Sequence, residues 1–314
     1  MRLQDLHTHS SYSDGKNDVG LMVLAADVYG LDTIAITDHY SDRYAFNITD
    51  LVRDCEAARE WANCDVMVGV EAVITSIAGH VSVTDEVLPH LDLVLCELGP
   101  QVVEPVMTLP VERRAESLTR AMVNACRRNP CIRILAHPLN MAAIAGVDLN
   151  QFSEPLLDEL ATTCIETGVA FEVMSDQWWW FRHQPIDAVT GKYARIVSYM
   201  ASKGVEFTLG SDAHSHQGVG NFTWARRVLS LTEVSEEQIA YIDRGSSMSL
   251  KNIHKTSPRC ATCFLWLGSQ REVRRGMPSI IQFEDNERAT CRQSGLTRAA
   301  WHGGGCRDWK PWIR

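Results

Sequence analysis

His7 and His9 stand two residues apart in the stretch Asp5-Leu6-His7-Thr8-His9-Ser10-Ser11-Tyr12-Ser13-Asp14-Gly15. If the stretch is a strand, its side-chain period of two points both imidazoles to one side. Two converging neutral imidazoles form a ligand pair for Zn, Fe, Mn or Ni. Taken alone, such a pair reads equally well as two polar residues at the edge of a strand. The chain repeats the arrangement, however. Asp38-His39, Glu71, His80, His137 and Asp212-Ala213-His214 each close a short apolar run of strand type. Imidazoles and carboxylates gathered from distant segments are the donor set of a transition-metal centre.

The elements that must position these groups alternate. Strands are predicted over Leu3 to His7, Thr33 to Thr37, Val66 to Val70, Leu91 to Leu95, Arg133 to Ala136, Val169 to Val173 and Glu206 to Leu209. Gly79 to Val83 reads as a short return strand. Helices are predicted over Val19 to Tyr29, Asp50 to Ala62, Val111 to Arg128, Glu154 to Thr167 and Tyr193 to Lys203, with Gly168 and Gly204 as stops. Continuous apolar strands separated by helices mean a parallel sheet covered on both faces. Seven such units over about 250 residues fit an α/β fold, a closed or nearly closed (β/α) barrel whose functional rim is the C-terminal ends of the strands. The candidate ligands fall at those ends.

Composition narrows the class. The chain has 314 residues, 45% of them hydrophobic, enough for one large domain with an appendage. It contains no apolar run long enough to span a bilayer. Met1-Arg2-Leu3-Gln4-Asp5 leads straight into a strand without the apolar core of a signal peptide, which points to the cytoplasm. Cys55, Cys64, Cys96, Cys126, Cys131 and Cys164 lie in apolar patterns and read as buried thiols rather than disulfides. The net charge is −9, and from Arg259 onward ten basic residues meet only five acidic ones, so the acidity is concentrated before that point. An acidic body argues against a platform for duplex nucleic acid, and a phosphate bound there needs cations beside it.

The motifs DLHTHSSYSDG, ITDH, GVEA, LAHPL and GSDAH occur in an order that resembles the PHP (polymerase and histidinol phosphatase) family, over roughly residues 1 to 255. The resemblance implies a distorted seven-stranded (β/α) barrel and two or three divalent transition metals, with Mn, Fe or Zn open. In family terms His7, His9, Glu71 and Asp212 hold one metal. Glu71 bridges to a second, held also by His137 and one further histidine. Asp14, His39 and His214 take a third. Many relatives supply the second-metal histidine at the end of the fourth strand, where this chain reads Cys96-Glu97-Leu98-Gly99. His80, nine residues after Glu71, is the expected replacement, ahead of His90, which precedes its strand.

The implied activity is a metal-dependent phosphoesterase. A metal-bridged hydroxide held by Glu71 and Asp212 would attack a small phosphomonoester or nucleotide, with an oligonucleotide possible and no membrane partner. A metal-dependent amidohydrolase or a non-catalytic metal-binding scaffold are the alternatives. Glu172, in mid-strand, could orient a ligating histidine or pair structurally. Arg43, Arg182 and His183 could reach a phosphate, and Trp178-Trp179-Trp180-Phe181 could form a platform for an aromatic leaving group. The domains are expected at 1–257, the catalytic barrel, and 258–314, an atypical extension. Cys260-x-x-Cys263 in that extension lacks the matching second pair of a zinc site. The oligomeric state is not readable from the sequence.

Overall fold

Runs such as Thr33-Ile34-Ala35-Ile36 and Leu93-Val94-Leu95-Cys96 are buried at every position, as strands of a parallel sheet wrapped by helices must be. The computed structural model describes residues 2–244 and, beyond them, the backbone of five short strands between 250 and 299. Strands β1 (Gln4–Asp5), β2 (Thr33–Ile36), β3 (His39–Tyr40), β4 (Asp65–Ile74), β5 (Leu93–Leu98), β6 (Ile134–Leu135), β7 (Ala170–Met174) and β8 (Phe207–Gly210) pair in parallel. Their order is β1-β2-β4-β5-β6-β7-β8. Strand β3 pairs with β4 beyond the Thr37-Asp38 break, so it extends the path of β2. The circle closes where the Asp212 N–H donates to the His7 carbonyl (3.0 Å) and the His9 N–H to the Ala213 carbonyl (2.9 Å). The result is a nearly closed seven-stranded barrel.

Helices α1 (Val19–Tyr29), α2 (Ile48–Arg59), α3 (Pro100–Met107), α4 (Val111–Arg128), α5 (Asn140–Ile144), α6 (Glu154–Thr167), α7 (Ile186–Ser202) and α8 (Thr223–Leu229) connect the strands. Local chemistry sets their ends. Asp18 caps α1 by accepting from the Leu21 N–H, and Gly30, at φ 69°, stops it in the left-handed conformation. On α4, Ala115, Leu118, Ala121, Met122, Ala125 and Cys126 make one buried stripe at helical spacing. Inside the barrel Leu6, Ala35, Met67, Leu93, Leu95, Ile134, Ala136 and Ala170 pack together, small residues alternating with large ones. The six cysteines expected to be thiols are free, and five of them are buried. Among the described residues no helix is long and apolar enough to cross a membrane.

Some elements differ from the prediction. Gly79 to Val83 contributes a single antiparallel bridge, Val81 to Ile74, because the chain turns sharply at Gly79 (φ 82°) and never extends. Helix α3 carries Pro100 at its first turn and Pro105 inside, composition that reads as a breaker but leaves a helix where the missing N–H is tolerated. Helix α7 starts at Ile186, directly after Pro185, about two turns before the predicted start. Residues 250–299 contain a three-stranded antiparallel sheet and a two-stranded one. Cys260 and Cys263, singled out in the sequence, lie outside the described residues.

The N-terminal face is sealed by one side chain. Gln4 donates from Nε2 to the Ile242 carbonyl (2.7 Å) and accepts the Ile242 N–H at Oε1 (2.9 Å), extending the hold on a segment that also bridges Phe207 of β8 at Ile239. Gln4→Leu would leave both backbone groups of buried Ile242 unsatisfied, at a cost of roughly 2–4 kcal/mol. Denaturant unfolding is expected to show that loss with metal content unchanged; a shift below 0.5 kcal/mol, within the scatter of surface substitutions, would contradict it.

Candidate metal centre

Period-two geometry at the end of β1 turns His7 and His9 inward, with Thr8 between them anchored outward to the Ala35 carbonyl (2.7 Å). The register His39↔Glu71 between β3 and β4 sets a second imidazole beside a carboxylate. Glu97 follows two residues beyond Leu95, the partner of Glu71 on β5. His137 closes β6, and Asp212 and His214 follow β8. These side chains meet at one point. His9 Nε2 is 3.0 Å from Asp212 Oδ1, His39 Nδ1 is 2.8 Å from Glu71 Oε2, and His137 Nε2 is 2.9 Å from Glu71 Oε1. His7 Nε2 lies 3.4 Å from Glu71 and 3.5 Å from Asp212, and His214 Nε2 lies 3.3 Å from Asp14.

Four overlapping groups have donor atoms within 4.8 Å of one another: His9, Asp14, His39 and His214; His7, His137 and Asp212; His7, His9 and Glu71; and His39, Glu71 and Glu97. His7 Nε2, both ring nitrogens of His9 and both carboxylate oxygens of Glu71 are buried without a hydrogen-bond partner. Orphaned buried donors and acceptors aimed at each other are what a cation would satisfy, so the residues present fit divalent metals. His137 (φ 28°) and Asp212 (φ 55°) are the only described residues other than glycine with positive φ, strain that recurs at functional sites.

Two buried carboxylates hold this arrangement without belonging to it. Glu172 takes His7 Nδ1 at 2.9 and 3.1 Å and the His137 backbone N–H at 2.7 Å, which leaves His7 Nε2 for the centre. Asp38 accepts from the backbone and hydroxyl of both Ser10 and Ser13, four bonds of 2.6–3.0 Å that fold the loop carrying Asp14 over the rim. The sequence left Glu172 open between two roles and paired Asp38 with His39; the geometry separates them.

Three expectations need correction. His80 is exposed, bonds Ser76 Oγ through Nδ1 (2.8 Å) and is absent from every donor group. The turn at Gly79 directs it away, and Glu97, at the fourth-strand position searched for a histidine, joins His39 and Glu71 instead. Arg182 lies over the Trp179 ring at 4.0 Å, and His183 faces a separate hollow of about 240 Å³. Neither lines the cavity above the cluster. That cavity, about 710 Å³, has Asp14, His39, Glu97, His137, Asp212 and His214 at its base. Arg43, Tyr44, Met141, Asp176, Trp179 and Trp180 are among its walls, so Arg43 and the tryptophan platform do face it.

The charges are balanced by imidazolium. Burial opposes protonation of His39 and His137, yet the Glu71 carboxylate overrides it and raises them to about 10 and about 9. Burial, then the Glu71 charge, pushes Glu97 up to about 7.

A model of the PHP domain matches residues 5–176, more than half of the chain. A probable phosphatase of Caldanaerobacter subterraneus subsp. tengcongensis is 28% identical over 245 residues, covering 75% of this chain and 85% of that protein. A probable phosphatase of Thermoanaerobacter sp. is 25% identical over 253 residues, covering 77% and 91%. Among solved structures, the histidinol phosphate phosphatase of Lactococcus lactis, complexed with zinc, L-histidinol and phosphate, superposes with a TM-score of 0.56 at 14% identity, covering 74% of this chain and 95% of that one. At that identity the likeness is one of fold.

Two outcomes are expected. By elemental analysis Glu97→Ala should hold fewer ions per chain than the parent while His80→Ala keeps the full complement; the reverse would restore the histidine assignment. Metal loading should release protons, since His39 and His137 are charged at neutral pH and a cation must displace their protons. Affinity should therefore rise with pH up to about 9–10. Calorimetry in two buffers of different protonation enthalpy reads this directly, and zero net release at pH 7 would contradict it.

Proposed function

Because the chain belongs to the PHP domain family, a family of metal-dependent phosphoesterases, we propose that it hydrolyses small phosphomonoesters, nucleotides among them. The observation that carries this reading is the position of the histidine–carboxylate cluster at the base of an open-mouthed cavity of about 710 Å³, a volume suited to a single small molecule. His7, His9 and Asp212 would hold one ion with Glu71. His137 would join Glu71 at a second, Glu97 would stand with His39 and Glu71, and Asp14, His39 and His214 would hold a third. Manganese, iron and zinc all suit such mixed nitrogen and oxygen donors. When bound, such ions supply Lewis acidity toward phosphoryl oxygens and a water of lowered pKa.

The protein's own side chains do the rest. Glu71 and Asp212, whose carboxylates lie within the cluster, would orient the attacking water. Arg43 on the wall can meet a phosphoryl oxygen once it leaves the Tyr44 ring, 5.2 Å from its guanidinium carbon. Trp179 and Trp180 offer apolar faces to the leaving group. An amidohydrolase of the carboxylated-lysine type is disfavoured, since no lysine lines the cavity among the described residues. The acidity of the sequence disfavours duplex nucleic acid.

Protein loaded with manganese or zinc is expected to release phosphate from monoesters but not from diesters or amides, to stop with chelator, and to recover when metal returns. Loaded protein that leaves every phosphomonoester intact while cleaving diesters or amides would sink the reading.

A further inference from the structure

Nearly every carboxylate at the strand-end face is committed. Asp14, Glu71, Glu97 and Asp212 lie against imidazoles, Asp38 holds Ser10 and Ser13, and Glu172 holds His7 and His137. Two wall carboxylates, Asp42 and Asp176, have no cation within ion-pair distance among the described residues. They differ in support. Asp176 follows β7 directly: the Ser175 N–H donates to the Gly210 carbonyl (3.0 Å), so Asp176 stands one residue past a rung that joins β7 to the segment bearing Asp212. Its own N–H is fixed on Met174 Sδ at 2.9 Å, while neither carboxylate oxygen has a partner. Burial, and then the charge of Asp212, hold its pKa above the ordinary carboxylate value. Trp179 and Trp180 line the same cavity as Asp176.

A phosphomonoester with an alcohol leaving group needs a proton on that oxygen as it departs, and the imidazoles at the base are turned to the metal cluster. We propose that Asp176 is the general acid of the reaction, an assignment that rests on the phosphomonoesterase reading. Water adds to phosphorus as the bond to the ester oxygen breaks. The bonding pair goes to that oxygen, and the Asp176 carboxyl proton converts it to the free alcohol. The carboxylate is then reprotonated by the proton the attacking water has lost, so one water is consumed and alcohol and phosphate are formed.

The metal-loaded full chain tests this with 4-nitrophenyl phosphate, whose phenolate leaves unprotonated at neutral pH, and benzyl phosphate, whose alkoxide does not. Asp176→Asn should lose about 100-fold or more in kcat on benzyl phosphate and no more than about threefold on the nitrophenyl ester, the span that general acid catalysis supplies. Asp42→Asn should leave the ratio of the two rates unchanged, and metal content should match the parent in both. Equal losses on both esters, no loss on benzyl phosphate, a changed ratio in Asp42→Asn, or a parent protein unable to cleave benzyl phosphate while cleaving the nitrophenyl ester would each overturn the assignment. If the metal-loaded parent cleaves neither ester, the phosphomonoesterase reading fails, and the assignment with it.

Discussion

The structure turns on Glu172, a carboxylate 1% exposed at the centre of the barrel. An ionised carboxylate buried without partners costs several kcal/mol, so its hydrogen bonds decide whether it can remain there. It has three, from His7 Nδ1 at two distances and from the His137 backbone, and they tie β1, β6 and β7 into one frame. Room for it exists because residue 210 is glycine: a Cβ there would overlap Glu172 Oε1 and crowd His7 Cβ. The motif Gly210-Ser211-Asp212-Ala213-His214 therefore supplies the donor groups and also the gap that lets another strand's carboxylate align them. Tyr193 of α7 donates to the Glu172 carbonyl at 3.2 Å, which carries the frame into the helical layer.

Around this frame the barrel concentrates features that a stable core avoids. Buried histidine nitrogens stand unpaired, four carboxylates converge, and two ligands sit on left-handed backbone at a cost of about 1–3 kcal/mol each. The interior below is apolar and well filled, and the rim is where consistency is given up for chemistry.

The fold was legible because period and order are carried by many residues at once. Apolar runs at Thr33 to Ile36 and Leu93 to Leu95 read as strands whatever their neighbours do, and His7, His9, His137, Asp212 and His214 stand at strand ends by count alone, whereas Glu71, expected to end its strand, lies inside β4, which runs on to Ile74. What stayed hidden depends on direction. Glu97 looks like any charged residue after a strand, and only the β4–β5 register shows that it stands two residues past the partner of Glu71. His80 has the expected residue type, but one glycine at φ 82° turns it outward. Arg182 and His183 sit in the right loop, where a five-residue 3₁₀ turn over Gln177–Phe181 points them away from the cavity. Asp38 was read with its neighbour because the sequence cannot show that Ser10 and Ser13 already surround it.

Closure of the barrel through β1 and β8 has a consequence in time. Ser211 and His7 are hydrogen-bonded across 204 residues of chain, so side chains that meet in the cluster come from segments adjacent in the barrel and far apart in sequence. At translation rates of about 5–20 residues per second, the β1 histidines leave the ribosome roughly 10–40 seconds before Asp212 and His214. During that interval the nascent chain offers a His-x-His pair without the carboxylates that complete it. The partial site can capture the tightest-binding cation in the cell rather than the one the finished cavity selects, because affinity for incomplete nitrogen sites follows the Irving–Williams order.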